Sequence, residues 1–189
     1  MLLDDIQILL FDVDGTIAAR DETILLTEAA DFFLAMAHRQ ADGHAIPHVA
    51  LVTNQGGPAV RHWMEEGRFG EPAKYPTIEQ VQLRLSALVA QIPLDVRLYV
   101  AYAYQSSKGK WAPVPVQYAG DPAWSRGWRK PNPGMIEQAI EDGRASWRTA
   151  MMVGDADTDE QASIAAGIQF MYVSDFWKLA ERLLAPAVG

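Results

Sequence analysis

Cysteine is absent from this chain of 189 residues, so neither a disulfide nor a zinc site built on thiolates can form. Histidine is scarce, with four residues, and gives no cluster expected to hold a metal. Basic residues are in deficit: 16 Lys and Arg stand against 24 Asp and Glu, for a formal charge of -8 and a pI near 4.9. A broad electrostatic footprint for nucleic acid or an anionic membrane is therefore not supported, and only a small basic pocket remains compatible with the composition. No apolar run approaches the ~18 residues of a membrane-spanning helix. The opening MLLDDIQILLFDVDG lacks a basic stretch and meets Asp4 and Asp5 at once, two residues that read as solvated, so it is not expected to be a signal peptide. A cytoplasmic protein is the expectation. Internal repeats and low-complexity tracts are also missing.

What the chain does have is apolar content, 49%, enough for one sizeable core, and a single domain over residues 1–189 is expected. Short apolar runs alternate with amphipathic stretches. Strands are predicted at Ile6 to Phe11, His48 to Thr53, Val96 to Tyr102, Thr149 to Val153 and Gln169 to Val173. Helices are predicted from Thr27 (as N-cap) to Arg39, from the capping box Thr77-Ile-Glu-Gln80 to about Ala90, from Pro133 to Asp142, from Asp159 to Ala166, and from Ser174 (as cap) to Leu184. Strand, helix and strand in repetition imply an α/β fold: a doubly wound, mostly parallel five-stranded sheet flanked by helices. Ligands in such sheets bind beyond the carboxyl ends of the strands.

Four segments place polar groups at those ends. Phe11 to Thr16 reads FDVDGT, Leu51 to Gly57 reads LVTNQGG, Arg129 to Met135 reads RKPNPGM, and Val153 to Asp159 reads VGDADTD. Each carboxylate alone would be an ordinary turn former or helix-start residue. Asp12, Asp14, Thr53 and Asp155 fall at or just past strand ends and so converge on one crevice; with the lysine and further carboxylates of the last two segments the inventory is one for handling phosphate with a hard metal ion.

DVDGT, LVTN, the lysine of RKPNPGM and GDADTD resemble, in order and spacing, the four motifs of the haloacid dehalogenase (HAD) superfamily. TNQGG with RKPNPGM is more narrowly similar to its histidinol-phosphate, heptose-bisphosphate and polynucleotide 3'-phosphatase branch. The resemblance implies a HAD-like Rossmannoid fold with minimal or no cap. It implies Asp12 as nucleophile, Asp14 as general acid and base, and Thr53, the Asn54 backbone and Lys130 around the phosphoryl group. It also implies Mg²⁺ held by Asp12, the Asp14 carbonyl and Asp155, with Asp159 directly or through water; Asp157 is left out of the set. Asp14 disfavours dehalogenation, since dehalogenase members lack this second Asp.

The interval Ala103 to Trp128, long and irregular, is expected to be a lid over the site. Relatives in the branch typically hold zinc there through cysteines and a histidine; this interval has neither, so their specificity does not carry over. Its Lys108, Lys110, Trp111, Tyr118, Trp124, Arg126 and Trp128 suit either stacking on a sugar or base, or packing onto the body. Arg129 is expected to touch the substrate. Arg61 to Arg68 reads either as an entrance border or as a solvated helix. The expected activity is Mg²⁺-dependent hydrolysis of a small phosphate monoester, by a monomer or small homo-oligomer. The alternatives are a polynucleotide 3'-phosphatase and a non-catalytic phosphate-binding protein; the last would need a missing catalytic group, and none is missing.

Overall fold

The computed structural model describes residues 5–184. Five strands form one sheet: β1 (Ile8–Phe11), β2 (His48–Asn54), β3 (Val96–Ala101), β4 (Ala150–Gly154) and β5 (Gln169–Tyr172). Their order is β3-β2-β1-β4-β5, and every neighbouring pair is parallel. The chain winds outward from β1 to β3, then returns to the other side of β1, so the strand order reverses between β1 and β4. That reversal opens the crevice in which doubly wound sheets hold ligands.

Among the described residues six α-helices cover the two faces: α1 (Thr27–Ala41), α2 (Gly57–Gly67), α3 (Ile78–Val89), α4 (Gly134–Asp142), α5 (Asp157–Ala166) and α6 (Val173–Leu184). Alternation along β1 explains the two layers. Leu9 and Phe11 join a core with Phe32, Phe33 and Met36 of α1, Leu85 and Leu88 of α3, and Phe176 of α6. Ile8 and Leu10 point the other way, to Met135, Ile136 and Ile140 of α4 and Ala162 of α5. A strand buried on both faces must be apolar at every position, and all four residues of β1 are. Phe11 lies 5.9, 5.5 and 5.3 Å from the rings of Phe32, Phe33 and Phe176, each in an edge-on arrangement.

The expected strands and helices all occur, with shifts at their ends. The expected cap Thr27 is the first helical residue; Leu26 occupies the N-cap with no side-chain hydrogen bond. Ser174 likewise lies inside α6 rather than capping it. Thr77, by contrast, caps α3: its hydroxyl accepts from the Gln80 N–H at 3.2 Å, while the Gln80 side chain accepts from the Thr77 N–H at 2.8 Å. Of Arg61 to Arg68, the residues up to Gly67 belong to a helix that starts at Gly57 and buries Pro58, Ala59 and Val60, and Arg68 is its left-handed C-cap. The polar positions of that helix hid its short apolar first turn. Asp5 is exposed, as expected, and Asp4 lies outside the described residues.

Candidate active site

Asp12 follows β1 directly, and its N–H donates to the Val153 carbonyl at 3.0 Å, tying the first segment to the end of β4. The chain then turns at Gly15, whose φ of +89° is left-handed. A Cβ there would collide with the Asp155 carboxylate. Glycine is thus required twice over, by the backbone conformation and by the close approach of the fourth segment. Gly154 plays a matching part: a Cβ on it would run into the Asp159 side chain.

Lys130 is the centre of the assembly and only 2% exposed. Its ammonium donates to Asp12 Oδ1 at 2.6 Å and to the Val52 carbonyl at 2.8 Å, and lies 2.7 Å from Asp159 Oδ1. Three donors thus meet three acceptors, the condition for burying an ammonium without leaving N–H groups unpaired. Burial acts to lower its pKa, but the charges of Asp12 and Asp159 outweigh that and hold it raised. For Asp12 burial is the largest influence and prevails over the opposing pull of Lys130, with the Asp159 charge adding to it; its pKa is pushed up to about 6. Asp155 is also raised, by burial and then by the charge of Asp159. Crowded carboxylates of this kind favour a bound cation.

Asn54 fixes Lys130 from behind. Its amide nitrogen donates to the Lys130 carbonyl at 2.9 Å, and its oxygen accepts from the Lys130 N–H at 3.1 Å. The second and third segments are thereby locked together. Thr53, 1% exposed, has its hydroxyl accepting from Gln55 Nε2 at 2.9 Å. The same nitrogen donates to Asp14 Oδ2 at 2.7 Å. On its other side Asp14 is paired with Arg84 of α3, whose Nη2 approaches Oδ1 at 2.5 Å.

The donor set is suited to a hard cation. Oxygens of Asp12, Asp155 and Asp159 all lie within 4.8 Å of one another, and oxygen-only ligation is what Mg²⁺ prefers. Asp159 is otherwise engaged: one oxygen faces Lys130, and the other accepts from the Ala156 N–H at 3.2 Å. Asp12 and Asp155 are the freer members. Asp157 opens α5 and is not part of the cluster.

A cavity of about 900 Å³ opens above these groups, lined by Asp12, Asp14, Thr53, Asn54, Arg129, Lys130, Asp155 and Asp159 together with Arg20, Lys74, Tyr75, Arg84 and Tyr104. Every expected site residue is therefore on its wall. Arg129 is half-buried, donates to the Ala103 carbonyl at 3.0 Å and lies 6.0 Å from the Tyr104 ring centre. Burial lowers its pKa, with Tyr104 opposing.

The lid expectation needs correcting in one respect. Of the interval 103–128, only Tyr104 lines this cavity; the outer wall comes instead from Ala73 to Pro76, between α2 and α3. The aromatics of the interval pack onto the body. Trp124 is 3% exposed and stacks on Tyr118 at 5.1 Å, and Trp128 Nε1 donates to the Val100 carbonyl at 3.0 Å. Trp111, with Arg126 over its ring at 5.2 Å, borders a separate groove of about 580 Å³ against Ala59 and Trp63 of α2. Burying indole surface outweighed presenting it to a ligand. Sequence reasoning missed Arg84 altogether, because nothing in a 70-residue separation announces a contact with Asp14. Gln55 was visible inside TNQGG but carried no distinguishing signal.

Comparison with known proteins bears on the fold and on one stretch of the sequence. The HAD-hydrolase-like family profile matches residues 127–176, the stretch holding Lys130, Asp155 and Asp159. No curated protein sequence matches the chain. Among solved structures, a candidate HAD-like phosphatase of Mesorhizobium loti is 20% identical, with a TM-score of 0.54 over 94% of this chain and 87% of that one. D,D-heptose 1.7-bisphosphate phosphatase of B. bronchiseptica, solved with magnesium and phosphate, is 19% identical, with a TM-score of 0.53 over 95% of this chain and 98% of that one. The architecture is that of the haloacid dehalogenase (HAD)-like proteins, and residues 127–176 carry the sequence pattern of that family.

Proposed function

We propose that this protein is a Mg²⁺-dependent phosphatase that hydrolyses the phosphate monoester of a small metabolite through an aspartyl-phosphate. The observation that carries this reading is the buried Lys130 ammonium spanning Asp12 and Asp159 at the floor of the cavity. A carboxylate nucleophile and a phosphate dianion repel each other unless fixed positive charge lies between them. Lys130 supplies part of that charge. Mg²⁺, held by Asp12, the Asp14 carbonyl and Asp155, would neutralise the phosphoryl oxygens when bound.

The reaction divides into two displacements. In the first, an Asp12 oxygen attacks phosphorus and the ester P–O bond breaks. The departing alkoxide takes the proton carried by Asp14, leaving that carboxylate ionised. In the second, Asp14 removes a proton from water as the water oxygen attacks the aspartyl-phosphate. Asp12 is released together with inorganic phosphate, and Asp14 regains its proton. Thr53 and the Asn54 N–H hold phosphoryl oxygens, and Arg129 meets the remainder of the substrate from the cavity wall. Asp159 acts through Lys130, whose position it fixes.

The cavity of about 900 Å³ suits a small ester such as a sugar or nucleotide phosphate, and the -8 charge of the chain weighs against a polynucleotide. Phosphate release from sugar phosphates, nucleotides and a 3'-phosphorylated oligonucleotide, each with Mg²⁺ or EDTA, tests the reading. Mg²⁺-dependent release from a small ester supports it. Release from the oligonucleotide alone would replace the substrate class, and silence across the panel would remove the phosphatase.

A further inference from the structure

We propose that Arg84, on α3, is the positioning residue of the proton-transferring carboxylate Asp14, which makes α3 part of the active machinery; this rests on the phosphatase reading above. Asp14 sits just before the left-handed turn at Gly15, and its carboxylate is held by side chains from other elements. The Arg84 guanidinium faces both oxygens, Nη2 donating to Oδ1 at 2.5 Å and Nη1 to Oδ2 at 3.4 Å. Gln55 holds Oδ2 from the side of Thr53.

The guanidinium is itself aimed. Its Nε donates to the Glu22 carbonyl at 2.9 Å, so the fork plane is set by the loop that follows Asp14. Gln91, two turns further along and just past α3, binds the same loop, donating to the Thr23 carbonyl at 2.7 Å and accepting from the Leu25 N–H at 3.3 Å. Arg84 and Asp14 side chains are 12% and 19% exposed, and both line the cavity. A planar fork that engages both carboxylate oxygens and a carbonyl at once cannot be matched by an ammonium, which is a point donor. Group transfer depends on such alignment, and small displacements are costly.

A staple serving only to hold the loop would show the same contacts, so the test must separate the two. With p-nitrophenyl phosphate the leaving nitrophenolate departs without a proton, and Asp14 is needed only for the second displacement. Arg84→Ala is therefore expected to keep a nitrophenolate burst of one equivalent per enzyme while steady turnover falls about tenfold to a hundredfold. On an alkyl ester such as glycerol phosphate both steps need Asp14, and the burst-free rate should fall at least as far. Arg84→Lys should recover only part of the loss. Arg84→Gln serves if the alanine variant does not fold, as judged by circular dichroism. Burst and turnover falling together on p-nitrophenyl phosphate would reduce Arg84 to a staple, and unchanged kinetics would end the proposal outright. If the wild-type protein shows neither burst nor turnover on either ester, the phosphatase reading itself fails and takes this inference with it.

Discussion

Lys130 is the residue on which site and stability meet. Its ammonium pairs with both Asp12 and Asp159, and all three side chains are buried. Lys130→Met removes the cation and leaves two buried carboxylates facing each other, so urea unfolding should show a loss of about 3–5 kcal/mol. A loss under about 1 kcal/mol would mean that solvent reaches the pocket and screens the pair. Asp12→Asn makes the opposite kind of change, removing one of the crowded negative charges whose pKa burial has raised. It should abolish turnover while leaving the thermal midpoint close to wild type; residual activity well above background would argue against Asp12 as nucleophile. That Asp12, Thr53, Lys130 and Asp155 share one cavity was readable from the four segments, three of which follow a strand end directly. Arg84 and Gln55 were not, since their partner Asp14 is supplied by tertiary packing rather than by neighbouring sequence.

Among the elements, α3 joins local and functional constraints. Its Thr77–Gln80 capping box sets where the helix begins and hence where Arg84 falls. Thr77→Ala should cost about 1 kcal/mol in unfolding free energy, and, if the account of α3 holds, turnover should fall with it more than for an equally destabilising change remote from the cavity. The turn after β1 is stricter. Gly15→Ala must place a side chain in a left-handed conformation and into Asp155, so a loss of about 1–3 kcal/mol is expected together with the activity. Strand and helix existence was legible from periodicity, and helix α3 from its capping box. The ends were not: Thr27 has a capping residue's chemistry, yet Leu26 occupies the position. For the tryptophans of the interval 103–128 the sequence left stacking and packing both open, and packing prevails: Trp124 and Trp128 are bound to Tyr118 and to β3, while the segment between α2 and α3 walls the cavity.

For the molecule as a whole, topology explains why residues more than a hundred positions apart share one cavity. Winding out from β1 and back again places the ends of β1, β2 and β4 side by side, and each end brings one of the polar segments. The two-sided core then makes the cavity floor rigid, since β1 is packed against helices on both faces. The HAD-like fold was legible because the four segments are short and ordered, three of them following strand ends and the third in chain order opening α4; the shape of the cavity wall was not, because it depends on how loops pack. Transfer of the phosphoryl group to Asp12, as proposed, is tested by intact-protein mass spectrometry after acid quench during turnover of a small phosphate ester with Mg²⁺. A population heavier by one phosphoryl group is expected, mapped to the peptide containing Asp12 and absent from Asp12→Asn. Turnover without any such adduct, or an adduct on another residue, would contradict it.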